Sequence, residues 1–304
     1  MIDPGLLADF ALPLLERLRL LATAGRRPVL LLNAPVGAGK TSLSGLLGQL
    51  APALDLRLAV ASIDDFYLPW EQRLQALAGN PFGVTRVPPG SHDPALLCQV
   101  LDDWRAGGPL RLPRFDKTLR QGEGDRGAAV SLQADALLLE GWLLGCQPLG
   151  EGLQPALDRW ARQPANQALQ LGAAERAWLP HWDRALEAYQ PAWRRCDELW
   201  LLRPSDWSLP RRWRFQAEAR QRRQGGTALP AVALEQLVRS SLCSLPPPLY
   251  QEPLDYQFLQ QNGDGVMGRD TSHQHSGPPV VAVALLDGRR RLTQLSSSSS
   301  LPTG

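Results

Sequence analysis

Ala34-Pro35-Val36-Gly37-Ala38-Gly39-Lys40-Thr41 follows the apolar run Pro28-Val29-Leu30-Leu31-Leu32 and precedes the leucine-rich stretch Leu43 to Leu50. A buried strand, a glycine-rich turn and a helix in that order form a phosphate loop, the G-x-x-x-x-G-K-[S/T] pattern. In such a loop the backbone N–H groups of the turn, here Gly37, Ala38 and Gly39, and of the helix start, Lys40, Thr41 and Ser42, point at a polyphosphate. The Lys40 ammonium reaches the outer phosphates and the Thr41 hydroxyl holds Mg2+. The expected ligand is therefore ATP or GTP with Mg2+. Ala34 stands where the pattern has its first glycine, a mild departure because Gly37 and Gly39 keep the loop open.

Lysine usage sharpens this reading. Of 32 basic side chains only two are lysines, Lys40 and Lys117. A chain that otherwise uses arginine keeps lysine where a compact ammonium on a flexible stem differs from a planar fork, so both positions are candidate functional sites.

Strand and helix patterns alternate outward from the loop. Leu6, Phe10, Leu14, Leu18 and Leu21 recur at helical spacing ahead of the first strand, with Pro13 as a bend. Leu56 to Ile63 reads as a second strand ending at Asp64-Asp65-Phe66-Tyr67, and a parallel sheet puts such strand ends beside the phosphate loop. Trp70 to Ala78 reads as a helix, Gly79 to Asp93 as a loop and Pro94 to Arg105 as a helix. Ala136 to Leu139 is a third strand, closing on Glu140-Gly141-Trp142. A tryptophan-rich helical insertion covers about 146–195, its Trp160, Trp178, Trp182 and Trp193 read as core. Glu198 to Leu202 is a fourth strand. Ser205 or Asp206 caps the next helix, a lid over about 205–225 with Arg211, Arg214, Glu218 and Arg222 on one face. A polar loop at about 260–278, a last strand Val280 to Leu286, a turn at Asp287-Gly288 and a disordered serine tail at 296–304 complete the chain. The pattern is a doubly wound parallel α/β sheet, a single domain over 1–295.

Net charge of +2 argues against general nucleic-acid binding, although arginines gather near 25–27, 211–223 and 288–291. Cys98, Cys146, Cys196 and Cys243 lack C-x-x-C spacing, so neither zinc nor a disulfide framework is expected. The opening residues carry Asp3, Asp9 and Glu16, and no apolar run is long enough for a bilayer, so the expectation is a cytoplasmic protein without a membrane partner.

Phosphoryl transfer to an alcohol needs a metal across the phosphates, cations for the developing charge and a carboxylate for the acceptor hydroxyl. Lys40 and Thr41 serve the phosphates and metal, Asp64 or Asp65 can take the proton, Glu140 can hold metal-bound water, and the arginine face with Arg211 and Arg214 can close over the nucleotide.

Ser62-Ile63-Asp64-Asp65-Phe66-Tyr67, Arg86-Val87-Pro88-Pro89-Gly90-Ser91-His92-Asp93, Pro113-Arg114-Phe115-Asp116-Lys117 through Gly124-Asp125-Arg126, Leu139-Glu140-Gly141-Trp142 and Trp213 to Glu218 together resemble D-glycerate 3-kinase of the plant and cyanobacterial type. That family belongs with uridine kinase, phosphoribulokinase and pantothenate kinase. The resemblance runs over about 28–258, and Val87 stands where a glycine is expected. It implies a P-loop kinase fold and transfer of the ATP γ-phosphoryl group to the 3-hydroxyl of D-glycerate, as in photorespiration. It also implies Asp64 as general base with Asp65 second, and Arg86, Lys117 and Arg126 as cations for the acceptor carboxylate. His92 and Asp93 position the acceptor or hold its loop, and Asp116 binds a substrate hydroxyl or orients Lys117. Two rivals stay open: another small acceptor, such as a nucleoside, ribulose phosphate or pantothenate, and a nucleotide-dependent regulatory protein binding a polyanion.

Overall fold

The computed structural model describes residues 2–162, 169–223, 225, 229–261 and 277–298. Its strands are β1 (Val29–Asn33), β2 (Leu58–Ser62), β3 (Leu110–Leu112), β4 (Phe115–Asp116), β5 (Asp125–Arg126), β6 (Val130–Leu132), β7 (Ala136–Gly141), β8 (Glu198–Pro204), β9 (Val280–Leu286) and β10 (Leu292–Ser297). Six of them form one sheet in the order β10-β9-β8-β1-β7-β2, parallel except for β10. β3 pairs with β6 and β4 with β5 as two short antiparallel ribbons.

The continuous apolar run of β1 is explained by burial on both faces. Val29 and Leu31 face a layer containing Trp104, Trp182 and Trp193, whereas Leu30 and Leu32 face Leu14 and Leu18 of the first helix and Leu43 and Leu47 of the helix after the phosphate loop. Each fully buried leucine contributes about 1.5–3 kcal/mol, which anchors this central strand on both faces. No helix among the described residues is long and apolar enough to cross a membrane.

Several expected boundaries shift. The first helix runs Pro4–Thr23 through a wide π-turn at Leu7–Ala11, which ends with only Leu12 between it and Pro13. A proline ring collides with the carbonyl four residues back, and widening the turn relieves that contact. β2 stops at Ser62 because the Ser62 side chain caps a 3-10 turn, Ile63–Phe66. β7 and β8 each continue two residues past the expected ends, to Gly141 and Pro204. The lid helix is Leu209–Arg223, and the Asp206 carboxylate accepts from Ser208 N just ahead of it. In the insertion, helices Leu153–Ala161 and Ala173–Ala185 bury Trp160 and Trp182, as a core layer should. Ser296 and Ser297, expected in the tail, instead belong to β10, which turns back antiparallel on β9. Residues 299–304 and 262–276, most of the expected tail and loose loop, lie outside the described residues.

Candidate active site

The C-terminal ends of β1, β7 and β2 lie side by side, with Asn33 opposite Gly141 and Ser62 opposite Glu140. Neighbouring strands in a sheet are ~4.8 Å apart, so the phosphate loop, Glu140 and the Asp64 turn converge by register alone. Ala34 is fully buried and extends the ladder, its N–H donating to Gly141 O at 2.9 Å. A methyl group there fits the core, which is why the pattern tolerates it. Gly37 and Gly39 both take left-handed backbone, at φ 77 and 95. At Gly37 space also forbids a side chain, since a Cβ would meet Arg214 N at 2.6 Å. Ala38 N–H closes the turn on Pro35 O at 3.3 Å, while Gly39, Thr41 and Ser42 are exposed at its mouth.

Glu140 is buried. Its Oε1 accepts from the Thr41 hydroxyl at 2.8 Å, and Lys40 Nζ lies 4.0 Å from Oε2. Burial pushes the Glu140 carboxyl above its ordinary range, against the pull of Lys40. Oε2 has no hydrogen-bond partner among the described residues. A buried carboxylate oxygen without a donor, beside a threonine hydroxyl, fits a Mg2+ shell completed by water and phosphate oxygens, since Mg2+ commonly takes only one or two protein ligands.

Asp64 and Asp65 separate clearly. Asp65 Oδ2 accepts from Ser62 N and Arg114 at 3.2 Å each, and Oδ1 from Phe115 N at 3.2 Å. It completes a capping box and ties β2 to β4. Asp64 keeps 35% of its side chain exposed and meets Lys117 Nζ at 3.6 Å. Burial raises its pKa, but the fields of Lys117, His92 and Lys40 and a hydrogen bond with Tyr67 outweigh that and hold it below the usual carboxylate range. Both lysines of the chain therefore bear on one carboxylate.

His92 is buried, stacked on Tyr67 with ring centres 4.4 Å apart. Burial pushes its pKa down to about 4, with Asp64 opposing and Arg73 reinforcing. Tyr189 Oη accepts from Gly90 N at 3.1 Å and lies 2.9 Å from His92 Nδ1. Where the Tyr189 hydroxyl gives its proton to Nδ1, the neutral His92 ring carries its own proton on Nε2. That buried Nε2 has no partner among the described residues, leaving a donor free for an acceptor oxygen.

The remaining expected residues divide into braces and free groups. Arg86 donates to Gly122 O and Glu123 O at 3.1 and 2.7 Å. Arg126 donates to Tyr67 O at 2.8 Å and to Asp93 Oδ2 at 3.1 Å, and Asp93 Oδ1 caps the following helix at Leu96 N. Asp116 is exposed and holds Thr118, whose hydroxyl and backbone N–H set its pKa below the ordinary range. Val87 sits at φ 95, a conformation that suits the glycine expected there and costs a β-branched residue about 1–3 kcal/mol. Arg211 is turned to Glu235 at 2.8 Å, and Arg214 pairs with Glu218 at 3.0 Å, so contact between lid helix and phosphate loop runs through Trp213 and the Arg214 backbone instead.

Two residues around the Asp64 turn and its neighbouring loops carry no sequence signal. Tyr189 arrives from the insertion, and only its place beside His92 marks it. Arg73 is fully buried; it donates to Gly124 O at 2.6 Å and lies 4.8 Å from the Phe115 ring centre. Its helical position, amid exposed polar residues, hid it.

No family model matches the chain. Over 206 residues, 64% of this chain, it is 31% identical to the chloroplastic D-glycerate 3-kinase of Arabidopsis thaliana, and the match spans 41% of that protein. Over 205 residues it is 28% identical to the uncharacterized kinase mug58 of Schizosaccharomyces pombe, covering 71% of it. The solved structure of a D-glycerate 3-kinase from Cryptococcus neoformans superposes with a TM-score of 0.75 at 25% identity, over 95% of this chain and 97% of that one. The expected resemblance and the P-loop kinase fold are both confirmed.

Proposed function

We propose that this chain is an ATP-dependent kinase that transfers the γ-phosphoryl group to the 3-hydroxyl of D-glycerate, giving 3-phosphoglycerate and ADP. The observation that carries it is that Lys40 and Thr41 meet Glu140, and Lys117 meets Asp64, at the ends of adjacent strands, one lysine from the phosphate loop and one from the loop after β4.

Lys40 holds the outer phosphates of the nucleotide. The acceptor hydroxyl docks against Asp64, which stays ionised and takes its proton as the oxygen attacks the γ-phosphorus and the bond to the bridging β–γ oxygen breaks. In a loose phosphoryl-transfer transition state proton loss is late, so a carboxylate of low pKa can orient the hydroxyl and still receive the proton. Thr41 and Glu140 would hold Mg2+, which would supply positive charge to the outer phosphates. Lys117, 64% exposed and on a flexible stem, reaches the acceptor carboxylate, with Arg86 behind it. His92 Nε2 donates to an acceptor oxygen. Asp65, Asp93 and Arg126 hold the loops that carry these groups.

The test is direct. The purified chain is incubated with ATP and Mg2+ and, in separate arms, D-glycerate, glycerol, uridine, ribulose 5-phosphate and pantothenate, and phosphate esters are read by phosphorus NMR. Product is expected with D-glycerate and not with glycerol, which has no carboxylate for Lys117. A preference for uridine, ribulose 5-phosphate or pantothenate would replace the acceptor, and slow hydrolysis with no acceptor at all would replace the reading with a regulatory one.

A further inference from the structure

Arg290 lies in the turn between β9 and β10 at φ 62. Its Nε donates to Gly37 O at 2.7 Å, its terminal nitrogen donates to Trp213 O at 2.9 Å, and the guanidinium sits 5.5 Å from the Trp213 ring centre. The Trp213 indole N–H in turn donates to Gly288 O at 3.0 Å. Phosphate loop, lid helix and the β9–β10 turn thus meet at one joint, although they are scattered over 250 positions, since Gly37 and Arg290 are 253 residues apart.

The joint has an electrostatic peculiarity. Both hydrogen-bond acceptors of Arg290 are neutral carbonyls, and among the described residues no carboxylate forms an ion pair with it. Burial, and then the nearby charge of Arg220, pull its pKa below the usual arginine range. A half-buried guanidinium that lacks an anion and touches the phosphate loop is a site that a polyphosphate completes.

We propose that Arg290 is a nucleotide-positioning residue, fixing the Gly37 peptide and the lid helix as one unit around the triphosphate, which supplies the negative charge the guanidinium lacks. The physical reason lies in the loop. A glycine in left-handed backbone has several conformations open to it, so a charge-assisted bond on its carbonyl removes alternatives that would otherwise have to be lost on binding. The planar fork makes both bonds at once; a lysine ammonium is a point charge without that geometry.

This inference rests on the nucleotide-binding reading above, and the experiment separates the two. The intact chain and its Arg290→Met and Arg290→Lys variants are titrated with Mg-ATP by calorimetry, and Michaelis constants for ATP and D-glycerate are measured for each. Loss of two bonds to a charged donor predicts ATP binding weaker by roughly 10–100-fold in Arg290→Met, with Arg290→Lys in between and the D-glycerate constant within about twofold. Unaltered ATP affinity in Arg290→Met, or a parallel rise in both constants, overturns the proposal. Should Arg290→Met fail to fold, Arg290→Lys decides: ATP weakening of about threefold or more, with acceptor binding unchanged, supports the joint, and parent-like affinity sinks it. A parent chain that binds no ATP would instead defeat the kinase reading itself.

Discussion

The nucleotide side and the acceptor side of the cleft solve opposite problems with the same cation. On the proposed nucleotide side the loop offers backbone N–H groups rather than arginines, and Arg290 braces it through the Gly37 carbonyl. On the acceptor side Arg73, Arg86 and Arg126 donate to carbonyls of Gly124, Glu123 and Tyr67, tying three loops that carry little regular structure. Arginine in both places is a fork that fixes backbone. The two lysines instead pair with carboxylates at the strand ends, Lys117 with Asp64 and Lys40 with Glu140.

That contrast can be broken at Asp64 and Asp65. Asp64→Asn is expected to lower kcat by about 10²–10⁴-fold while leaving ATP affinity intact, because in the proposed mechanism it removes only the proton acceptor. Asp65→Asn should keep most of the turnover and lower stability by ~1 kcal/mol, as removal of a cap does. Kinetics and urea melts of the pair check this, and an active Asp64→Asn beside a dead Asp65→Asn would exchange their roles.

A smaller effect is expected at Lys117. Lys117→Ala should raise the D-glycerate Michaelis constant by roughly 10-fold and that for ATP by less than about twofold, the size of one charge-assisted bond. If the ATP constant moves more, Lys117 belongs to the nucleotide side and the division drawn above is wrong.

A pH dependence of stability is expected from His92. Its folded pKa of about 4 lies below the ordinary histidine value. The unfolded chain therefore binds the extra proton first as pH falls, and stability from this source drops from ~6.5 downward until the native form also protonates. Urea midpoints compared at pH 7 and pH 5 should differ more in the parent chain than in His92→Gln. Equal differences would mean that His92 is not held neutral, and with it would go the assignment of a free Nε2–H donor.

The same contrast explains what could be read from one dimension. Strand β1, its phosphate loop and the leucines of the following helix announce themselves because local period and glycine placement act over a few residues. Glu140 was legible as a carboxylate at a strand end, since parallel register alone brings such ends together. Asp64 and Asp65 looked alike in sequence, because the distinction depends on whether Ser62 N, Arg114 and Phe115 N occupy a carboxylate, and those partners come from different segments. Arg211 looked like a nucleotide contact from its helical face, yet Glu235 lies on a helix whose packing no periodicity of the lid records. β10 escaped notice because its serine-rich end resembles a tail until β9 offers a ladder.

Sequence by itself determined the phosphate loop, the alternation of strands with helices and the placing of two rare lysines, all features encoded in short-range pattern or in residue choice. Folding alone decided which carboxylate is tied to backbone and Arg114, which arginines are spent on carbonyls, and that Tyr189 and Arg290 reach His92 and the phosphate loop from distant parts of the chain. The physical reason is that a side chain's charge and hydrogen-bonding capacity are used up by whatever lies within about 3 Å of it, and at that range most neighbours come from elsewhere in the chain.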